Sequence, residues 1–373
     1  MRIGVPTEIK VHEYRVAVTP AGVHSLTGAG HQMVVQSGAG AGSALSDDEY
    51  RAAGATVVDD AAAVWEQADM ICKVKEPLPQ EYPLMRDGLL LFTYLHSAAD
   101  LAGTRALIDN GVTAVAYETV SAPDGSLPLL APMSEVAGRI AAQVGAVELM
   151  RPRGRGTLMG GVPGTPPAKV VVLGGGTVGR NATQVAAGMR ADVCVVDVSP
   201  AVLRAIDAEH SGQVRTAMSN PWEIEPLLLD ADLVIGAVLV PGARAPHLVS
   251  EDLGARMRPG SVLVDVAIDQ GGCSEVSRPT THESPTYRVH GTTVYAVTNM
   301  PGAVPVTSTR ALTNATLPYL HELANVGAAI AESTGPTWDV HPRRAALLAG
   351  LRAGLTTHAG EVRNAAVARA HRL

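Results

Sequence analysis

AKVVVLGGGTVGRNATQVAAGMRADVCVVDVSP, residues 168–200, is the stretch on which the fold turns. The apolar run KVVVL leads straight into Gly174, Gly176 and Gly179, a GxGxxG spacing at the mouth of a helical pattern. A second apolar run, DVCVVD, closes on Asp197. GxGxxG alone is weak evidence, but a strand before it, a helix after it and an acid about 20 residues on are the further marks of a Rossmann βαβ unit, and all three are present. The glycines permit a tight turn and let a pyrophosphate approach the helix N-terminus, where unpaired amides and the helix dipole favour negative charge. Asp197 is expected to accept hydrogen bonds from both hydroxyls of an adenosine ribose and to repel a 2′-phosphate, which favours NAD over NADP. Arg204, on the following helix, softens that preference.

Downstream, further strands end in polar or glycine-rich turns. Leu233 to Val238 is expected as a strand ending in a Val238-Leu239-Val240 turn that lies against adenine or nicotinamide. Residues 261–268 are expected as another, delivering Asp269 before two glycines that let a loop wrap a ligand. Asp265 lies inside that strand with the same parity and is assigned the structural role of the two acids. A last strand, in TVYAVTNMPG, ends at Asn299 and Met300. Upstream, Pro132 to Met150 carries apolar residues at helical spacing over roughly 27 Å and is expected to join two domains. RPRGRGTLMGGVPGTPPAK, residues 151–169, is dense in Gly, Pro and Arg and reads as an irregular crossover.

The first half alternates short β-rich runs with helical ones. RIGVP, MVVQ, ATVV, MICKV, LLLFTYL and TAVAYE are separated by patterns that start at Pro20, Ser46 and Ser97. Such alternation argues for βαβ units and a mostly parallel sheet. In open α/β sheets, ligands bind beyond the carboxyl ends of the strands. Lys75, one of four lysines in the chain, falls just past one strand, and His96 just past another. Arg15, in the loop after the first strand, has the paired donors that match a carboxylate, or it forms a salt bridge to Glu8 or Glu13; spacing does not separate the two. After 306 the chain returns to helix, with Pro318 as an expected kink and a helical pair near 342–353 and 360–371. The expected organisation is therefore a discontinuous domain, 1–130 with 306–373, and an inserted domain, 131–305. The fold class is α/β, with two doubly wound Rossmann-like domains of mostly parallel sheet, linked by long helices, and an active site in the interdomain cleft.

Composition agrees with such a core. The chain has 373 residues, 46% hydrophobic but only 3% aromatic, so its interior is built from aliphatic residues. A formal charge of −7 leaves no electrostatic footprint for nucleic acid or an anionic membrane. No run approaches 18 uninterrupted apolar residues, and the first residues lack the basic and apolar regions of a secretory signal, so a cytoplasmic protein is expected. Cys72, Cys194 and Cys273 are odd in number and share no metal-ligand spacing, which fits reduced thiols. Cys72 and Cys194 read as core filler. For Cys273, in QGGCSE, a structural role is weighed against a reactive loop thiol.

Many blocks in order, RIGVPTE, YRVAVTPAGV, VKEP, LHSAAD, YETV, LPLLAPMSEVAGR, MGGVPG, GGGTVG, ADLVIGAVLVPGA, VDVAIDQGGC, SRPTTH and ALTNATLPY, carry a resemblance over nearly the whole length. The chain resembles the alanine dehydrogenase/pyridine nucleotide transhydrogenase family, on its alanine dehydrogenase side. The resemblance implies reversible, NAD-dependent conversion of L-alanine to pyruvate and ammonium, in a homohexamer. It carries the substrate site onto Arg15, Lys75, His96 and Asp269. The NAD contacts fall on Ser134, Gly174, Gly176, Val178, Gly179, Asp197, Ser219, Val238, Leu239, Val240, Ile268 and Asn299. His96 is assigned the proton shuttle, because an ordinary pKa of about 6.5 keeps both protonation states populated near neutrality; Asp269 shares that role or orients water. Some members hold magnesium between an acid in YETV and a His on the helix after LTNAT. Glu118 is kept here but Val326 stands at the His position, and no metal site is expected. Val306 and Arg310 also depart from the Lys and Tyr of relatives. Remaining alternatives are a dehydrogenase of another amino acid or a saccharopine-like substrate, a transhydrogenase-type dinucleotide-binding subunit, and an NAD sensor.

Overall fold

The computed structural model describes residues 1–238, 246–332 and 341–373. It divides into two compact units, Met1–Met133 with Val304–Leu373, and Ser134–Ala303. The two longest helices among the described residues, Ala131–Glu148 and Pro305–Val326, begin beside the two boundaries.

In chain order the strands of the first part are β1 (Arg2–Val5), β2 (Gln32–Gln36), β3 (Thr56–Val58), β4 (Met70–Cys72), β5 (Leu90–Thr93) and β6 (Thr113–Ala116). Those of the second unit are β7 (Lys169–Leu173), β8 (Asp192–Asp197), β9 (Arg215–Met218), β10 (Leu233–Gly236), β11 (Val262–Asp265), β12 (Thr286–Val289) and β13 (Thr292–Tyr295). The chain ends with β14 (Leu355–His358) and β15 (Glu361–Val362).

The first unit's sheet has the order β3-β2-β1-β4-β5-β6-β14-β15. From β3 to β6 every pairing is parallel. Strand order reverses between β1 and β4, which is the switch point of a doubly wound sheet. β4, β5 and β6 are buried at every residue, as strands covered on both faces must be, and so read as continuous apolar runs rather than alternating ones. Several helices of this unit start on side-chain caps. Thr19 accepts from Gly22 N, Ser46 and Glu49 form a reciprocal capping box, and Asp100 accepts from Gly103 N. Pro318 lies inside the helix Pro305–Val326.

One expectation fails at the carboxyl end. Residues 360–371 were expected as a helix, but β14 and β15 form a hairpin that extends the sheet antiparallel to β6, and the helix starts only at Ala365. Ala359 and Gly360 both adopt positive φ, 48° and 77°, which is the backbone of a two-residue hairpin turn. The β-branched pair Thr356 and Thr357 supplies the strand, and Thr357 Oγ1 donates to Val112 O at 2.9 Å.

The second unit repeats the arrangement, with sheet order β9-β8-β7-β10-β11-β13-β12 and only β12 antiparallel to its neighbour. Its switch point lies between β7 and β10. Val171, Leu173, Val196, Val234, Leu263 and Val294 pack into one apolar cluster. Three strands are shorter than expected. β10 stops at Gly236, β13 at Tyr295, and β11 at Asp265, where a 3₁₀ turn, Val266–Gln270, takes over. Asp265 and Asp269 therefore do not share a strand face.

Candidate active site and dinucleotide cradle

At the first unit's switch point, the segment leaving β4 is held by the loop leaving β1. Val74 N donates to Glu8 Oε1 at 2.6 Å, and the Lys73 ammonium lies 3.2 Å from Glu8 Oε2 and 2.8 Å from Glu81 Oε1. Lys73 is 1% exposed. Burial by itself would lower its pKa, but the two carboxylates outweigh burial and hold it above the ordinary lysine range. Sequence reasoning missed this cluster. The signal was present as a second lysine two positions before Lys75, with acids at 8 and 81, but only the fold brings them together.

Lys75 is also buried, at 9% exposure, and its environment is the opposite. Its carbonyl accepts from Thr93 Oγ1 at 2.9 Å, which pins the backbone to β5. Among the described residues its ammonium forms no ion pair and no hydrogen bond. Burial first, then the Arg15 and Lys10 cations, hold its pKa below the ordinary range, against the pull of Glu76 and Glu13. Lys10 and Glu76 are themselves paired.

Arg15 is 2% exposed and engages Glu13, one of the two partners weighed from sequence. Nε donates to Glu13 Oε1 at 2.6 Å, Nη2 to Oε2 at 2.5 Å, and the Arg15 backbone N to Oε1 at 3.1 Å; Nη1 approaches Met133 Sδ at 2.9 Å. Burial would raise the Glu13 carboxyl, and its bonds to Arg15 reverse that and hold it low. Arg15, Glu13 and Lys75 together carry one net positive charge.

His96 follows β5 on an exposed loop, in the left-handed region at φ 51°. Glu118, in the 3₁₀ turn Tyr117–Thr119 after β6, fixes that loop. Its carboxylate accepts from His96 N at 2.6 Å and from Leu95 N at 3.2 Å. The Tyr94 and His96 rings stack with centroids 6.3 Å apart. Tyr94 donates to Leu129 O at 2.5 Å, burial pushes its phenol well above the ordinary range, and the Arg15 charge acts on it. Arg15, Lys75, Tyr94 and His96 thus gather at the carboxyl ends of β1, β4 and β5.

In the second unit the turn after β7 needs its glycines. Gly174 has φ 99°, and a Cβ there would sit 2.8 Å from the Ala237 carbonyl oxygen beyond β10. A Cβ at Gly179 would overlap the Gly174 carbonyl. At Gly176, the N-cap of the helix Thr177–Gly188, nothing lies within 4 Å of that position, so the helix N-terminus opens onto free space. Asp197, at the end of β8, shapes this cradle by accepting from Gly175 N at 2.7 Å and Ser199 N at 2.8 Å. A carboxylate has about four acceptor positions, so two remain for a ligand. Ser219 N donates to Asp197 O at 2.9 Å.

The other expected cofactor contacts lie on several elements of the second unit. Ser134, Val178, Ser219 and Val238 are half-buried, and Arg204 is exposed on the helix Pro200–Glu209. Ile268 is buried in the apolar cluster. Asn299 has φ 61°, its carbonyl hydrogen-bonds His282 Nε2 at 3.1 Å, and the buried Met300 opens a 3₁₀ turn. Leu239 and Val240 lie outside the described residues. Sequence reasoning passed over Val198 and Met218, exposed apolar side chains beside Asp197, the second its register partner on β9. Asp269 is exposed on the 3₁₀ turn. Cys273 is fully buried, and burial, with Asp265 beside it, pushes its thiol well up, so a reactive loop thiol is ruled against.

Comparison with known proteins now adds to this geometry. Residues 4–137 match the family described as alanine dehydrogenase/PNT, N-terminal domain, and residues 141–364 match its C-terminal domain. An alanine dehydrogenase of Mycobacterium tuberculosis is 56% identical over 369 residues, covering 99% of this chain and 96% of that protein. A solved structure of an L-alanine dehydrogenase superposes with a TM-score of 0.93 at 48% identity, over 100% of this chain and 99% of the other. The transhydrogenase of Sinorhizobium meliloti superposes with a TM-score of 0.79 at 26% identity, over 98% and 100%.

Proposed function

The chain belongs to the alanine dehydrogenase/PNT family, and from that premise we propose that it catalyses the reversible, NAD-dependent oxidative deamination of L-alanine to pyruvate and ammonium. The observation that carries this reading is the buried Lys75 ammonium, which has no counter-ion among the described residues and sits near an Arg15 already neutralised by Glu13. One net buried positive charge is the complement of one substrate carboxylate. A bound monocarboxylate relieves the repulsion that Lys75 feels from Arg15 and Lys10, and it gains charge-assisted hydrogen bonds in a site where water is scarce.

The first unit is the substrate domain. Arg15 and Lys75 hold the carboxylate, and through it the orientation of Cα, which is how a site converts binding into rate. NAD, when bound, supplies the nicotinamide that takes hydride from Cα. Loss of that hydride and of an amine proton leaves an imine on the substrate, to which water adds. His96 accepts the proton of the attacking water and returns it to nitrogen; as the C–N bond breaks it takes the carbinolamine hydroxyl proton, so that pyruvate forms and the departing ammonia is protonated to ammonium. Asp269 shares that role or orients the water.

The second unit is the NAD domain. Gly174, Gly176 and Gly179 leave the room that a pyrophosphate requires, and Asp197 accepts from the ribose hydroxyls, with Val198 and Met218 offering apolar surface nearby for adenine. Ser134, Val178, Arg204, Ser219, Val238, Leu239, Val240, Ile268, Asn299 and Met300 complete the cofactor contacts. No helix among the described residues is long and apolar enough to cross a membrane. A cytoplasmic homohexamer acting on small molecules fits the family. The test is NADH absorbance with purified protein, NAD and, in parallel, L-alanine, L-serine, glycine, L-lysine and saccharopine, with NADP as a control cofactor. Turnover with L-alanine and NAD above all other pairs is expected; silence with L-alanine refutes the reading.

A further inference from the structure

The loop that carries Asp269 is closed at both ends on one side chain. Asp265, the last residue of β11, is fully buried. Its Oδ1 accepts from Ala267 N at 3.2 Å and so starts the 3₁₀ turn Val266–Gln270; its Oδ2 accepts from Cys273 N at 3.0 Å where the loop returns. The Cys273 thiol also hydrogen-bonds this carboxylate. Around it the backbone is cut to fit. Gly271 and Gly272 adopt φ 95° and 77°, and a Cβ at Gly272 would lie 2.8 Å from Asp265 Oδ2. Gly236, at the end of β10, has no side chain where the Cys273 sulfur sits. Beyond the loop, Leu248 N donates to Cys273 O at 2.8 Å, so the anchored end is tied to a second segment. Asp269 stands exposed at the outer side of this closed loop, and Ile268 is turned into the core.

We propose that Asp265 is a positioning residue for Asp269: its buried carboxylate gathers Ala267 and Cys273 so that the loop presents Asp269 in one fixed orientation. This rests on the role given to Asp269 above. A carboxylate suits the task because it is acceptor-only, and the Ala267 and Cys273 donors converge on it with the Ser277 hydroxyl beside them. Asparagine has the same shape, but its amide nitrogen brings donors of its own against the Cys273 N–H, so the loop loses one anchor while the core volume is unchanged.

The test is a double-mutant cycle with a labelling arm, on the full chain. Asp265→Asn is expected to lower kcat about 10- to 100-fold, the scale of a small misplacement of a reacting group, with the KM for L-alanine little changed. In an Asp269→Asn background the same change should have almost no further effect, because the group it positions is gone. Gly272→Ala leaves the carboxylate in place and pushes the loop off it, and it should reproduce the kcat loss should Asp265→Asn fail to fold. In the labelling arm, Ellman's reagent should find no accessible thiol in the native parent, since all three are buried, but one per chain in Asp265→Asn and none in Asp265→Asn/Cys273→Ser. Additive losses in the cycle, or unchanged kcat and no labelling in Asp265→Asn, would overturn the proposal. A parent inactive with L-alanine would remove the functional reading instead, and loop closure by Asp265 would then be decided by labelling alone.

Discussion

Replacing Lys73 and Lys75 separately by Met subjects two lysines, two positions apart and both buried, to the same chemical change with opposite expected results. Lys73 lies 2.8 Å from Glu81 and 3.2 Å from Glu8 at 1% exposure, so its loss strands two buried carboxylates. Breaking a buried ion pair by removing one partner costs about 3–5 kcal/mol. In a unit of about 200 residues that lowers Tm by roughly 6–20 °C. Lys75 sits among cations and its ammonium has no ion partner among the described residues, so Lys75→Met removes a desolvated charge and inserts an apolar chain of similar length. Its Tm should stay within about 2 °C of the parent or rise, since functional groups are often held at a cost in stability. Its activity should collapse: losing one half of a buried charge pair with the substrate is worth about 3–5 kcal/mol, a factor of about 10²–10⁴ in kcat/KM. Differential scanning calorimetry and steady-state kinetics on the two variants decide the matter. A Lys75→Met protein destabilised as much as Lys73→Met, or one that keeps its kcat/KM, would refute the assignment of Lys75 to the substrate.

Three further outcomes are expected. Because the folded pKa of Lys75 is below its ordinary value, its protonated form costs stability at neutral pH, and that cost is lost as pH rises from the lowered folded pKa to the ordinary lysine value. The stability gap between Lys75→Met and the parent should therefore close in alkali while the KM for pyruvate climbs; a pH-independent KM for pyruvate up to pH 10 would count against a charged Lys75 as the carboxylate ligand. Asp197→Ala should raise the KM for NAD at least about tenfold, the effect of removing a charged hydrogen-bond acceptor, and leave that for L-alanine nearly unchanged; equal effects on both would argue against a ribose contact. His96→Ala should lower kcat about 10²- to 10⁴-fold, the usual contribution of a general acid–base, without weakening NADH binding measured by fluorescence, and near-parental turnover would remove it from the mechanism.

Much of the architecture could be read along the chain because each element carries a local signal. Continuous apolar runs such as LLFT and KVVVL predict strands buried on both faces, and caps such as Ser46 mark where helices begin. The errors fell where a side-chain bond or a distant strand overrides local propensity. VDVAIDQGG reads as one strand until Asp265 turns its carboxylate on Ala267 and Cys273 and ends the ladder. β14 was passed over and β15 was read as helix, because the pairing partner of their hairpin, β6, lies far away in sequence.

For the candidate site the division is similar. GxGxxG and Asp197 are legible because their chemistry depends on backbone conformation and spacing within one βαβ unit, and Lys75 and His96 because strand ends in such sheets share an edge. No spacing rule could say that Lys73 is the paired lysine and Lys75 the solitary one, or that Arg15 takes Glu13 rather than Glu8. Those choices depend on which carboxylates the β1–β4 crossing carries to within about 3 Å, where Coulomb attraction is strong enough to outweigh the desolvation of a buried charge. Sequence alone therefore determined the fold class and nominated the residues proposed for the chemistry; the tertiary structure decided which of those charges are neutralised by neighbours and which is not.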